Sequence, residues 1–151
     1  EVGADRICNT AAAKQLTGCP AIIGDIGSAT NYDVIDKTGA FVGGSIAPGL
    51  ETAARNLFEK AALLKATAFT VPTSAIGKDT VTNLQSGIML GAIDVIDGMF
   101  KRINAETGWK NTHHIITGGF GRLISPHLNT KHTLIQTLTL DGIKSIYEKS
   151  I

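Results

Sequence analysis

The residues Ile22-Ile23-Gly24-Asp25-Ile26-Gly27-Ser28-Ala29-Thr30 set a carboxylate near the end of an apolar run, followed by a glycine and two hydroxyls one residue apart. A turn of this composition can aim backbone N–H groups and hydroxyls into one concavity, which suits a phosphate. The neighbouring carboxylate can hold a cation that offsets phosphate charge. An ordinary hairpin turn accounts for the same residues. Ile115-Ile116-Thr117-Gly118-Gly119 offers a second such place. A strand, two glycines and a helix let a flat ligand lie against backbone at a helix N-terminus, or simply make a tight turn. Gly3-Ala4-Asp5-Arg6 opens a helix. Asp5 is favourable there for dipole reasons alone, but an acid and an arginine at a helix mouth can also handle a substrate hydroxyl and a substrate carboxylate. Ile76-Gly77-Lys78-Asp79-Thr80 opens another helix, with Asp79 or Thr80 as a plain N-cap.

Other chemistries lack their residues. The P-loop spacing fails because Pro72 stands at the first glycine position and Asp79 follows Gly77-Lys78. No Gly-x-Gly-x-x-Gly opens a helix after a strand, and no Gly-x-Ser-x-Gly provides an elbow serine. His113, His114, His127 and His132 have no zinc spacing. Cys8 and Cys19 form no Cys-x-x-Cys and read as reduced, partly buried thiols.

The elements that must position these groups follow from periodicity. Ala4 to Leu16 has helical spacing and is stopped by Gly18 and Pro20. Strands are predicted over Ala21–Ile26, Ala29–Ile35 and Ala40–Ile46, with a turn at Asp36-Lys37-Thr38-Gly39, giving an antiparallel meander. Pro48-Gly49 opens a helix over Leu50–Lys65 with Ala53, Leu57, Ala61 and Leu64 on one stripe. Ala66–Val71 reads as a short extended segment. A long central helix begins at Asp79, with one stripe through Val81, Leu84, Ile88, Ala92, Val95, Met99 and Ile103. Met89, Ile93, Ile96 and Phe100 widen its apolar face. Gly87 and Gly91 share a helical face, which favours close approach of another backbone, or contact with a ligand. His113–Thr117 is a returning strand, Phe120–Leu128 a short helix, Ile135–Leu138 extended or irregular, and Leu140–Lys149 a terminal helix. This order implies an α/β layer with helices covering the sheet.

The chain of 151 residues has the length of one domain, and 43% apolar with 18% charged residues excludes disorder. A net charge of +1 gives no electrostatic footprint for nucleic acid or anionic membrane. No apolar run reaches the roughly 18 residues of a membrane span. The start at Glu1-Val2-Gly3, without Met and without a leader pattern, suggests a fragment or a processed chain, and a cytoplasmic location is expected.

In combination, Gly3-Ala4-Asp5-Arg6, Asp25-Ile26-Gly27-Ser28-Ala29-Thr30, Gly43-Gly44-Ser45-Ile46-Ala47-Pro48-Gly49, Ile76-Gly77-Lys78-Asp79-Thr80, Gln85-Ser86-Gly87 and Thr117-Gly118-Gly119 resemble the type III pantothenate kinases. These belong to the superfamily of acetate and sugar kinases, heat-shock chaperones and actin. The resemblance runs over essentially the whole chain. It implies a ribonuclease H-like (actin-like ATPase) lobe: a three-stranded antiparallel meander plus a returning strand, covered by helices. It implies transfer of the ATP γ-phosphoryl group to pantothenate, the first step of coenzyme A synthesis. By the match, Asp5 is the general base, and Gly3, Ala4, Asp5, Arg6 and Thr80 bind substrate, with Arg6 suited to the pantothenate carboxylate. Asp25 is the ligand of a monovalent cation (K⁺ or NH₄⁺). Gly27, Ser28, Thr117, Gly118 and Gly119 contact ATP, which brings Mg²⁺. A homodimer with substrate sites near its interface is also implied. Asp5, Asp25 and Thr80 should then surround one cleft.

Two residues depart from the pattern: Ser28 stands where the family has threonine, and Asn31 where another threonine is common. The family's N-terminal lobe carries an Asp-x-Gly-Asn-Thr phosphate turn, which does not occur here. Residues 1–151 are therefore expected to be a single domain, the C-terminal lobe of a two-lobe kinase, with little activity when the N-terminal lobe is absent. The competing readings are a non-catalytic regulatory or binding module of the same fold, and a kinase for a different small acid or sugar.

Overall fold

The structure, a computed structural model, describes residues 2–61 and 66–151. Strand alternation decides which way each residue faces. In β1 (Ala21–Ile26), Ile22 and Ile26 join one core while Ala21 and Ile23 join another, and Asp25 shares the second face. β2 (Ala29–Ile35) returns antiparallel, setting Ile22 opposite Val34, Ile23 opposite Asp33 and Asp25 opposite Asn31. β3 (Phe41–Pro48) completes the meander and pairs Asp33 with Gly44, running beyond the expected end at Ile46. β4 (His113–Thr117) lies parallel to β1 and brings Thr117 beside Asp25. A short β5 (Thr133–Leu134) adds to β4 in parallel, so the sheet order is β3-β2-β1-β4-β5. The expected meander and returning strand are thus present. The last extended stretch lies earlier than the expected Ile135–Leu138, because Leu138 already begins the terminal helix.

Each face of the sheet has its own layer. α1 (Ala4–Leu16) and α6 (Leu138–Glu148) cover one face, where Ala12, Ala13 and Leu138 pack with Ala21, Ile23, Ile35 and Ile115. On the other face, Met89, Ile93, Ile96 and Phe100 pack against Ile22, Ile26, Tyr32, Val34 and Ile116. The Tyr32 and Phe100 rings meet edge to face, 6.0 Å between centroids.

The helical run expected from Asp79 is present but not uniform. It consists of α3 (Thr80–Gln85), a π-helical turn over Ser86–Leu90, and α4 (Gly91–Thr107). Asp79 is its N-cap: the carboxylate accepts from the Thr82 N–H at 2.8 Å, and the Thr82 hydroxyl closes a capping box. Ser86 Oγ donates to the Ala75 carbonyl at 2.6 Å within the π turn. A π turn holds an extra residue and so re-aims the helix after it. The buried seam is accordingly Met89-Ile93-Ile96-Phe100, while Val81 and Val95 of the other expected stripe are exposed.

Three further expectations are corrected. α2 spans Leu50–Lys60; the end expected at Lys65 falls partly on residues 62–65, outside the described residues. Residues 66–71 form no strand, and Phe69 and Val71 instead pack against the α4-side core. The helix expected over Phe120–Leu128 is α5 (Gly121–Ile124) followed by a 3₁₀ turn over Ser125–His127. Pro126 has no N–H to continue an α-helical ladder.

The glycines that permit close helix approach are also not the expected ones. A side chain at Gly87 or Gly91 would meet nothing within 4 Å among the described residues. At Gly142 of α6, by contrast, a Cβ would run into the Cys8 carbonyl of α1. The two helices touch backbone to backbone, and this contact seats α1. Among the described residues no helix is long and apolar enough to cross a membrane. Gly142→Ala is expected to push α6 off α1 and lower stability by about 1–3 kcal/mol, the usual cost of overpacking a tight interface. Urea unfolding of the variant checks this, and a midpoint equal to that of the parent would show that the helices can part freely.

Candidate active site

In α/β sheets, ligands gather beyond the carboxyl ends of parallel strands. Here β1 and β4 are parallel neighbours, so their ends deliver Asp25-Ile26-Gly27-Ser28 and Thr117-Gly118-Gly119 to one place. The Gly27 N–H donates to the Ala29 carbonyl at 2.9 Å, so the first turn is indeed a hairpin turn, and it still presents Ser28 to solvent. The Phe120 N–H donates to the Ile26 carbonyl at 2.9 Å, tying the second turn to the first. Gly118 has φ +91° and lies against Asp25: a Cβ there would stand 2.5 Å from Asp25 Oδ1. Only glycine meets both conditions without strain. Thr117 is buried and Gly119 exposed. Beside Ser28, the residues Glu51, Thr52, Arg55, Asn56 and Glu59 of α2 line a polar hollow of about 320 Å³, in which Arg55 is paired with Glu51 at 2.8 Å.

The N-terminal half of α1 lies over the face of the sheet that carries Asp25 and Asp33. Gly3 is its N-cap, Ala4 and Asp5 are exposed in the first turn, and Asp5 Oδ1 accepts from the Arg6 N–H at 2.9 Å. Arg6 folds inward to Asp33, with Nε 2.7 Å and Nη2 2.6 Å from the same carboxylate oxygen. One turn on, the buried Asn9 donates its side-chain N–H to Asp25 Oδ2 at 2.9 Å. Thr139 of α6 donates in turn to Asn9 Oδ1 at 2.7 Å. Asn9 is thereby fixed at both ends of its amide and holds Asp25 with one oxygen turned toward the Gly27 and Gly118 turns.

Burial and mutual repulsion dominate the electrostatics of this group. Burial pushes the Asp25 carboxyl above its ordinary range, the Asn9 hydrogen bond pulls it back, and the Asp5 charge raises it again. Asp33 is also raised, first by burial and opposed by Arg6, with Asp25 and Asp5 adding repulsion. Asp5, Asp25 and Asp33 therefore feel one another, and a cationic or protonated group entering among them lowers the energy of all three.

Thr80 is placed apart. It is the exposed first residue of α3, which packs against the π turn, in the layer on the opposite face from α1. Within the chain, Asp5 is near enough to Asp25 for its charge to be felt there, and Thr80 does not join them. An apolar cavity of about 310 Å³ lies on that second face, lined by Tyr32, Leu50, Ala54, Gly87, Ile88 and neighbouring residues, away from the carboxylates.

Asn9, Asp33 and Thr139 were not legible as site residues in the sequence. Two of them left a trace there: Asp33 is a lone charge between Tyr32 and Val34 in an apolar strand, and Asn9 is an amide on the buried stripe of a helix.

A family model described as type III pantothenate kinase matches residues 1–102. The chain is 44% identical over 149 residues to a type III pantothenate kinase of Thermomicrobium roseum, covering 99% of this chain and 57% of that protein. It is 45% identical over 151 residues to the one of Frankia alni, covering 100% and 60%. With the one of Moorella thermoacetica it shares 43% over 150 residues, covering 99% and 59%. The chain thus spans less than two thirds of the length of these relatives. Among solved structures it superposes on a conserved Baf family transcriptional activator of Campylobacter jejuni with TM-score 0.71 and 21% identity, covering 99% of this chain and 65% of that one. It also superposes on the ethanolamine utilization protein EutJ of Carboxydothermus hydrogenoformans with TM-score 0.50 and 17% identity, covering 90% and 53%. These likenesses speak for the fold alone, a ribonuclease H-like lobe of the actin-like ATPase kind. Together with the six motifs and the sheet end that gathers most of them, the family match leads to one conclusion: this chain belongs to the type III pantothenate kinase family.

Proposed function

We propose that the chain is the C-terminal lobe of an ATP-dependent pantothenate kinase, transferring the γ-phosphoryl group to the pantothenate hydroxyl in the first step of coenzyme A synthesis. The observation that supports this best is the meeting of Asp25 with the Gly27-Ser28 and Thr117–Gly119 turns at one end of the sheet, with Asp5 near enough for its charge to be felt by Asp25. Phosphoryl transfer asks for positioning and charge stabilisation more than for covalent chemistry. Gly27 and Ser28 offer a turn for the phosphates, and Thr117 to Gly119 a glycine turn for the adenosine side.

Asp5 is exposed at the mouth of α1. An ordinary carboxylate is too weak to ionise an alcohol outright, so it orients the hydroxyl and accepts its proton late, as charge leaves the attacking oxygen. Arg6 receives the substrate carboxylate. Asp25 suits a monovalent cation: one oxygen is committed to Asn9, the other faces the turns, and the buried charge lacks a cationic partner among the described residues. Such a cation, with the Mg²⁺ that accompanies ATP, supplies compensation for phosphate charge. Thr80 contributes to the substrate site across a homodimer contact, since its own layer faces away from Asp5.

Three outcomes are expected. In a phosphorylation assay with ATP, Mg²⁺ and K⁺, this chain by itself turns over pantothenate slowly or not at all, because the nucleotide lacks its second lobe; rates typical of kinases would refute the one-lobe reading. In the intact polypeptide, Asp5→Asn lowers kcat by about 10²-fold or more, and undiminished turnover would remove Asp5 from the chemistry. Calorimetry showing binding of neither ATP nor pantothenate to that polypeptide would favour a non-catalytic module instead. The third outcome concerns pH. Because the folded Asp25 carboxyl is raised, its favourable contribution is complete below the ordinary carboxylate range and is lost as pH rises through the folded value. Asp25→Asn keeps an acceptor for Asn9 and removes the charge, so at pH 7 it should melt at or above the parent temperature while losing activity. That advantage should vanish toward pH 4 and below, and a variant that melts lower at pH 7 would make Asp25 a structural residue.

A further inference from the structure

We propose that Asp33, assisted by Phe41 and Gly44, is a positioning residue that holds the Arg6 guanidinium as a preformed receptor for the carboxylate end of the substrate. This rests on the pantothenate kinase reading and assigns a role to a residue that the reading leaves unused.

Asp33 sits in the middle of β2 with its side chain wholly buried, on the face that α1 covers. Two Arg6 nitrogens meet its Oδ1, Nε at 2.7 Å and Nη2 at 2.6 Å, while Oδ2 has no hydrogen-bond partner among the described residues. A side-by-side fork, with each oxygen taking one donor, would satisfy Arg6 and Asp33 together. The observed geometry instead concentrates both contacts on one oxygen. Of the five guanidinium N–H groups, the one on Nε donates to Asp33, and the four on Nη1 and Nη2 make no hydrogen bond among the described residues. The Arg6 side chain keeps 14% of its surface exposed, so the residue is not sealed in the core.

Two further contacts fix the plane of the group. The Phe41 ring lies 5.5 Å from the Arg6 guanidinium carbon, within cation–π range. Gly44, paired with Asp33 across the ladder, leaves space where a Cβ would come within 2.9 Å of Arg6 Nη2. Beside this seat, Val2, Ile7, Thr10 and Phe41 line a small apolar cavity of about 190 Å³. A fixed cation next to an aliphatic hollow fits a small branched hydroxy acid, with Asp5 one residue away for its hydroxyl.

A structural pin is the competing role, and the buried pair makes a poor one. Apolar side chains of similar volume dock a helix without desolvating a carboxylate, and a buried ion pair is weak evidence for stability. Holding a long, rotamer-rich arginine in one pose before the ligand arrives does have a use: the ordering cost is then not charged to binding.

The test compares pantothenate with its alcohol analogue, in which CH₂OH replaces the carboxylate, as substrates of the intact polypeptide. The parent should prefer the acid. Asp33→Asn should cut that preference about tenfold, with most of the loss in KM for pantothenate rather than in kcat. Arg6→Met should abolish the preference, and adding Asp33→Asn to it should change the ratio no further, since the two residues act as one unit. Phe41→Leu, which keeps the hollow filled but removes the ring face, should lower the same ratio by a few-fold and serves as the second variant if Asp33→Asn fails to fold. An Asp33→Asn enzyme that loses acid and alcohol equally, or that keeps the full acid preference, would overturn the assignment. A parent that uses both substrates equally would overturn it too, by removing carboxylate recognition. A parent that phosphorylates neither would instead refute the kinase reading beneath it.

Discussion

Two carboxylates on one face of a mostly apolar sheet, Asp33 wholly buried and Asp25 half-buried, are the constraint around which the rest is arranged. Asp25 and Asp33 face α1 from neighbouring antiparallel strands, and neither position is wet enough to solvate a charge unaided. The helix above them answers with an amide for one and a guanidinium for the other, a single turn apart: Asn9 to Asp25 and Arg6 to Asp33. Both residues lie on the side of α1 that faces the sheet, where Ala12 and Ala13 supply its apolar packing. Asp5, on the first turn of the same helix, is near enough for its charge to raise both carboxyls.

The remaining architecture serves this placement. α6 presses on α1 at a contact of Cys8 and Gly142 backbone, and from the same helix Thr139 completes the hydrogen bonding of Asn9. On the opposite face, Met89, Ile93, Ile96 and Phe100 supply the apolar burial that stabilises a sheet whose other side spends part of its area on charged groups. The division is economical in physical terms: one face is a core, and the other is half core, half receptor. Burial raises both carboxyls on the α1 face, so their charged forms are disfavoured there.

Much of the fold was legible from local pattern. β1, β2 and β4, together with α1, follow directly from alternation, helical spacing and the Gly18, Pro20 and Asp36–Gly39 punctuation. The misplacements have local physical causes acting against propensity. Pro126 converts an expected helix to a 3₁₀ turn, and the π turn at Ser86–Leu90 decides which of two apolar stripes is buried. Gly87 and Gly91 looked like packing glycines by their spacing, but spacing says only that a helix face is smooth, not that anything lies against it. Gly142, in an unremarkable stretch, carries that role because a second helix happens to cross there.

By itself the sequence determined the residue types, their order and the turns they can make: an acid and an arginine at a helix mouth, a carboxylate before a glycine–hydroxyl turn, and a threonine before two glycines. Six motifs in order were also enough to identify the family. Only the tertiary structure decided which of these meet. Parallel pairing of β1 with β4, strands separated by most of the chain, brings Asp25 beside Thr117, and the docking of α1 brings Arg6 to Asp33. It also decided that Thr80 stands apart, on a helix of the other layer. The reason is that periodicity encodes which face of an element is apolar, whereas the partner of a buried charge is set by long-range register, which no local pattern contains.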